Sequence, residues 1–280
     1  AMRKGPYLLY PGDSTSMTIL WQSEGTPGYS GIRWGLTPDC NDGEAVVTES
    51  DSGPDGHQFS YTISSLTPAS RTYYTVVLDD AQYAGSFLSA PGENATQVSI
   101  YGYGDTRSQP NNHDWLLKQL LIDMNAAPDA RQTLCLHAGD FVQTGQDEWS
   151  WDDEYFERNY PDTLSFLAQV PVIGCLGNHE IYHADFSTPP PEDLGNLFRK
   201  YWPFPFMSEK PPFYYSFDYG PVHVAVLDQY TTSYAAGSPQ LIWLAQDLAG
   251  TTKPWKMVLF HDPVWTAYNL DSGKYSRVEQ

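Results

Sequence analysis

Up to residue 92, apolar and polar positions alternate in short runs, among them Ser16-Met17-Thr18-Ile19-Leu20-Trp21, Ser30-Gly31-Ile32-Arg33-Trp34 and Tyr73-Tyr74-Thr75-Val76-Val77-Leu78. A period of two sends successive side chains to opposite faces of a strand, and the Gly, Pro, Asp and Ser clusters between the runs are turn formers. The pattern predicts an all-β unit over residues 1–92, with about seven strands paired into a sandwich. Pro91-Gly92-Glu93-Asn94 reads as a linker, and beyond it the rhythm changes. Val98-Ser99-Ile100-Tyr101-Gly102-Tyr103 is strand-like and precedes a helix-like stretch, Trp115-Leu116-Leu117-Lys118-Gln119-Leu120-Leu121-Ile122. Strand-like runs recur at Thr133-Leu134-Cys135-Leu136-His137-Ala138, Val170-Pro171-Val172-Ile173-Gly174-Cys175-Leu176 and Trp255-Lys256-Met257-Val258-Leu259-Phe260, so residues 96–280 read as an α/β unit.

Two units fit a chain of 280 residues, which exceeds the usual length of one domain. The first has the strand count and core Trp of an immunoglobulin-like or fibronectin type III sandwich, and none of its residues suggests catalysis. A net charge of −19 repels phosphate backbones, so no nucleic-acid polymer is expected as a partner. No run reaches the roughly 18–20 apolar residues of a membrane span. Cys40, Cys135 and Cys175 are too few for a disulfide framework, and the latter two, inside apolar runs, read as buried free thiols. Tyr201-Trp202-Pro203-Phe204-Pro205-Phe206 and Trp149-Ser150-Trp151 read as loops packed on the core.

Chemistry enters at the ends of the strands. The residues that follow them are Gly104-Asp105, Gly139-Asp140, Gly177-Asn178-His179-Glu180 and His261-Asp262. The carboxyl ends of strands in an open α/β sheet form a ligand crevice, and a glycine there permits close backbone approach. A Gly-Asp pair also begins ordinary turns and caps helices. Four such ends carrying Asp, Asp, Asn and His are not explained by turns, and those donors suit transition metals such as Mn, Fe or Zn.

These motifs, with Val258-Leu259-Phe260-His261, the hairpin-like segment from Phe213-Tyr214-Tyr215 to Val226-Leu227-Asp228 and the helix-like Gln240-Leu241-Ile242-Trp243-Leu244-Ala245-Gln246-Asp247-Leu248, resemble the calcineurin-like metallophosphoesterases, within them the purple acid phosphatases. The resemblance implies a sandwich-shaped α/β core behind the N-terminal fibronectin-like unit and two metal ions. Asp105 would bind the first ion, Asp140 would bridge both, and Asn178 and His261 would bind the second. It implies that metal-bound hydroxide attacks a small phosphate ester, a monoester by preference. His179 would contact the phosphate and either protonate the leaving alkoxide or steady the transition-state charge, with Glu180 orienting it or a neighbouring ligand. An extracytoplasmic location follows from the same resemblance.

Three positions depart from that family. Gln143 stands where purple enzymes carry a tyrosine ligand, so no purple absorption is expected. Arg107 stands where other members have a histidine; it cannot coordinate, and it reads as a phosphate clamp. His113 is a candidate for the first metal or the substrate, with a helix-cap role equally open, while His57, His137, His183 and His223 read as structural or surface groups. The family's final Gly-His-x-His motif does not occur among residues 262–280, so the core reads as C-terminally incomplete. Two other functions stay open: a silent or weak binding protein on the same fold, and a nucleotide-cleaving phosphodiesterase.

Overall fold

In the computed structural model, which describes residues 1–53, 56–181, 194–209 and 211–263, the alternating N-terminal runs become β1 (Met2–Leu9), β2 (Met17–Ser23), β3 (Ser30–Gly35), β4 (Gly43–Val46), β5 (Asp51–Gly53), β6 (Gly56–Ile63), β7 (Arg71–Leu78) and β8 (Ala81–Leu88). They form two antiparallel sheets, ordered β1-β2-β6-β5 and β4-β3-β7-β8. Trp21, Ile32, Phe59, Tyr74, Val76 and Phe87 fill the space between them. The indole of Trp21 stacks on Phe59 at 5.8 Å, and its Nε1 donates to Ser30 Oγ, so its one polar atom is paired inside the core.

The outer face of the first sheet is also buried. Leu8, Ile19 and Trp21 face the sandwich core, while Tyr7, Leu9 and Leu20 on the alternate positions enter the core of the second unit. That is why β1 and β2 read as nearly continuous apolar runs: both faces lose water. An ion cluster closes the same contact. Lys4, fully buried, donates to Gln22 Oε1 at 3.0 Å, to Glu148 Oε1 at 2.8 Å and to the Asp152 carboxylate. Arg3 grips Asp152 through both Nε and Nη2, and the Tyr201 hydroxyl donates to Glu148.

The second unit contains β9 (Ile100–Tyr103), α1 (Pro110–Asn125), α2 (Pro128–Arg131), β10 (Leu134–His137), α3 (Glu148–Ser150), a π-helical turn (Trp151–Tyr155), α4 (Pro161–Leu167), β11 (Val172–Gly174), α5 (Asn196–Tyr201), β12 (Tyr215–Tyr219), β13 (Val222–Val226), α6 (Pro239–Gly250) and β14 (Trp255–Leu259). One sheet is parallel, in the order β11-β10-β9. The other is β12-β13-β14, an antiparallel hairpin joined to a parallel strand. The four motif-bearing strands thus lie in two sheets. Helix α1 buries Leu117, Leu121 and Met124, the i, i+4, i+7 face of an amphipathic helix, and starts with proline at its first position. Of the aromatic stretches read as loops packed on the core, residues 149–151 and Tyr201 are helical and residues 202–206 are loop; Trp151, Tyr201, Trp202 and Phe204 are fully buried in one cluster, while Trp149 is exposed. All three cysteines are buried free thiols. His183, the 188–193 proline-rich stretch and the tail from residue 264 lie outside the described residues.

Candidate metal centre

The last residues of the three parallel strands are register partners: Tyr103 pairs with His137, and His137 with Gly174. The chain leaves each strand at the same level, which brings Asp105, Asp140 and Asn178 to one edge. Backbone bonds continue the alignment beyond the strands, from Asp105 N to Gly139 O at 2.9 Å and from Thr106 N to Asp140 O at 2.9 Å. Close packing there requires glycine. A Cβ on Gly139 would lie 2.6 Å from Gly177 N and 2.9 Å from His261 Nδ1, and one on Gly177 would lie 2.1 Å from Asp140 Oδ1. Asp105 and Asp140 themselves sit at positive φ, 59° and 56°. Left-handed backbone costs a non-glycine residue about 1–2 kcal/mol, and such strain gathers at functional sites.

Asp140 is the hub, 1 % exposed. Its Oδ1 accepts the His179 N–H at 3.0 Å. Its Oδ2 accepts Arg107 Nε at 2.7 Å and lies 3.4 Å from His261 Nε2. Burial alone would raise the Asp140 pKa; the bond and charge of His261, the His179 amide and Arg107 outweigh it and hold the carboxyl well below the usual range. His261 comes from beyond β14 in the other sheet. Its Nδ1–H donates to Ala138 O at 2.6 Å, which turns Nε2 toward Asp140. Gln229 fixes the loop by accepting His261 N at 2.9 Å and Asp262 N at 2.7 Å. Burial depresses the His261 pKa, but Asp140 and the Ala138 carbonyl push it up to about 9.

Glu180, fully buried, supports Asp140 from beneath. It accepts the N–H groups of Asp140 (2.8 Å), Phe141 (2.7 Å) and Gly177 (2.7 Å), so one carboxylate ties two strand ends together. Burial and the Asp140 charge push its pKa up to about 7, against those three donors. His179 Nδ1–H donates to Gln143 O at 2.6 Å. Glu154, on the π-helical turn, accepts Ser108 N at 2.8 Å and Gln143 N at 2.9 Å, which clamps the two aspartate-bearing loops to each other. No sequence signal pointed to Glu154 or Gln229, because each acts through backbone brought to it by the fold.

Arg107 bridges the two aspartates: besides Asp140, its Nε lies 3.4 Å from Asp105 Oδ1, and Nη1 donates to Gln143 Oε1 at 3.4 Å. Asn178 is half-buried, and its amide has no hydrogen bond among the described residues. His113 lies elsewhere, 3 % exposed, with Nε2 3.4 Å from the Tyr103 hydroxyl, and burial pulls its pKa down to about 3. No hydrogen bond or ion pair joins it to Asp105, Asp140, Asn178 or His261 among the described residues. His137 faces Thr106 Oγ1 at 3.1 Å and stacks on Phe141, and His223 is held between Asp218 and Asp247, both at 2.7 Å. A cavity of about 770 Å³ lies at the opposite strand ends, lined by Val98, Thr133, Val222 and Trp255, away from this chemistry.

The donor set is uneven. Among the described residues no three His, Cys, Asp or Glu side chains enclose a common point. Asp140 Oδ2 and His261 Nε2, 3.4 Å apart, have the spacing of neighbouring ligands on one ion with bonds of about 2.0–2.2 Å, and the Asn178 amide follows on the adjacent strand end. These fit one ion. Around Asp105 the neighbour is a guanidinium, which does not fit. Because a metal must displace the proton that His261 shares with Asp140, affinity is expected to rise steeply with pH and level off near the His261 pKa of about 9. In the metal-free chain the stabilisation from this raised pKa is present below the ordinary 6.5 and is lost as pH rises through about 9. Metal titrations at several pH values check the first statement; a flat profile contradicts it.

A calcineurin-like phosphoesterase family model matches residues 98–279. A purple acid phosphatase of Glycine max is 25% identical over 273 residues, covering 91% of this chain and 55% of its own. Purple acid phosphatase 1 of Ipomoea batatas is 25% identical over 227 residues, covering 74% of this chain and 43% of its own. The chain therefore spans about half the length of the curated relatives it matches. Among solved structures, the purple acid phosphatase PPD1 from yellow lupin (Lupinus luteus) seeds superposes with a TM-score of 0.69 at 16% identity, over 94% of this chain and 52% of that one. PhoD superposes with a TM-score of 0.64 at 14% identity, over 90% of this chain and 60% of that one.

Proposed function

The chain belongs to the calcineurin-like phosphoesterase family, and from that premise we propose that it carries the centre of a metal-dependent hydrolase of small phosphate esters, monoesters by preference. The observation that supports this most is the meeting of Asp140, from the parallel sheet, with His261, from the other, 3.4 Å apart. Asp140, Asn178 and His261 would hold a cation, and Asp105 stands at the solvent side. A bound cation supplies Lewis acidity toward a phosphoryl oxygen and lowers the pKa of water. The protein groups do the rest. Asp140 stays anionic through the neutral range. Arg107 presents N–H groups to a phosphate oxygen. His179, anchored through Nδ1 to Gln143, donates a proton to, or hydrogen-bonds, the leaving oxygen. Glu180 holds the backbone of the Asp140 loop and of Gly177 ahead of His179.

Finer features rest on the family likeness. Fe, Mn and Zn are the candidate metals; a relative in Arabidopsis thaliana, 28% identical over 143 residues, is named an Fe(3+)-Zn(2+) purple acid phosphatase. The family's arrangement has two ions; among the described residues the donors fit only the second position. We assign residues 1–92 to a fibronectin type III-like domain and 96–280 to the phosphoesterase domain, and take the location as extracytoplasmic. With Gln143 in place of a tyrosine ligand, the iron-loaded chain is expected to show no tyrosinate charge-transfer band, which a visible spectrum checks directly.

The function is tested by stripping the chain, loading it with Mn, Zn or Fe, and assaying 4-nitrophenyl phosphate beside bis(4-nitrophenyl) phosphate. Metal-dependent turnover with the monoester preferred is expected. No turnover above background with a folded, metal-bound chain overturns the reading, and faster diester cleavage moves it to a phosphodiesterase.

A further inference from the structure

We propose that the guanidinium of Arg107 stands in for a first metal ion between Asp105 and Asp140, so that the centre holds one ion, on Asp140, Asn178 and His261, beside a fixed organic cation. This deepens the functional reading above and rests on it. The two carboxylates that a first ion would need are already spanned: Nε is 2.7 Å from Asp140 Oδ2 and 3.4 Å from Asp105 Oδ1. An arginine side chain remains charged at any working pH and has no lone pair for a metal. A second cation within bonding distance of the same oxygens would meet that charge at close range.

Among the described residues no side chain beside Arg107, the two carboxylates apart, offers a first ion a free donor. Gln143 Oε1 already accepts from Arg107 Nη1 and Ser108 Oγ. His113 faces the Tyr103 hydroxyl instead. The arginine is also held in place from its own backbone. Arg107 N donates to Asp140 O at 3.1 Å, and the next amide, Ser108 N, is held by Glu154 at 2.8 Å. Both ends of the side chain are therefore fixed to the Asp140 loop. Its Nη2 has no hydrogen bond among the described residues, and about one-third of the side chain is exposed. That leaves an N–H edge for a phosphoryl oxygen, so one fixed charge serves both to occupy the first position and to bind the anion.

Metal content separates this from a two-ion centre. The 280-residue chain is stripped with a chelator, dialysed against excess Mn(II), and measured by elemental analysis and electron paramagnetic resonance, beside Arg107→Lys, Arg107→Ala and Arg107→His, each first shown to be folded by circular dichroism. One manganese per chain with the six-line spectrum of an isolated ion is expected for the unaltered chain and for Arg107→Lys, which keeps the cation. Arg107→His, which puts a neutral nitrogen donor at that position, is expected to approach two ions with an exchange-coupled spectrum, and Arg107→Ala to gain a weaker second ion. Two coupled ions in the unaltered chain, none at all, or no gain in either neutral variant overturns the proposal. One bound ion without any phosphate-ester turnover would instead overturn the functional reading and leave the assignment of Arg107 standing.

Discussion

Asp140→Ala is expected to abolish metal binding and lower turnover by about a thousandfold or more, the effect of losing several kcal/mol of transition-state charge stabilisation. One buried carboxylate serves His261, Arg107 and the His179 amide at once. Without it, Arg107 and His261 lose the anion between them, and His261 loses the partner that raises its pKa. His179→Ala leaves those contacts to Asp140's side chain in place, so metal content is expected to persist while turnover falls by roughly 10²–10⁴, the usual worth of a positioned acid or base. Elemental analysis and kcat on the two variants check the contrast. Equal metal loss in both would show that His179 belongs to the metal's support and not to the leaving group.

The second large effect lies far from the donors. Lys4→Met is expected to destabilise the fold by about 3–5 kcal/mol, the range for removing one partner of a buried ion pair. Burial of the ammonium pulls the Lys4 pKa below its ordinary value even with Glu148 and Asp152 beside it. Removing the ammonium leaves Glu148 and Asp152 facing each other across a partly buried contact, with Arg3 as the remaining partner of Asp152. Urea unfolding of the two chains measures this; a change under about 1 kcal/mol would mean that Arg3 and Lys200 take over the neutralisation. The same helical segment that carries Glu148 and Asp152 also carries Glu154, which clamps the Arg107 and Gln143 loops. A catalytic loss in Lys4→Met, beyond any unfolded fraction, would therefore reveal that the N-terminal sandwich supports the centre mechanically although it supplies no donor.

Strand positions were readable because alternation and strand-then-loop grammar are local. β9, β10, β11 and β14 fall inside the runs that predicted them, and α1 extends the predicted helix at both ends, to a proline at its start. The donors Asp105, Asp140, Asn178 and His261 were readable for the same reason: each lies two to four residues beyond a strand end. Trp151 and Tyr201 were misplaced in loops, since aromatic clusters carry no clear period; residues 202–206 are loop as expected, packed on the core by partners distant in the chain.

Local pattern along the chain thus settled which segments are strands, where the chemistry-bearing residues sit and which family the chain resembles, because strand periodicity and motif spacing act over a few residues. Only the folded chain decided that the motifs meet across two sheets, that Asp105 and Asp140 adopt left-handed backbone, and that Arg107 lies between them. It also set the supports, Glu154, Gln229 and the Lys4 cluster, whose partners are 11 to 148 residues away. Such contacts are fixed by register, by the close approach that Gly139 and Gly177 permit, and by the need of buried charges for partners. Each of these conditions exists only once distant segments have been brought together.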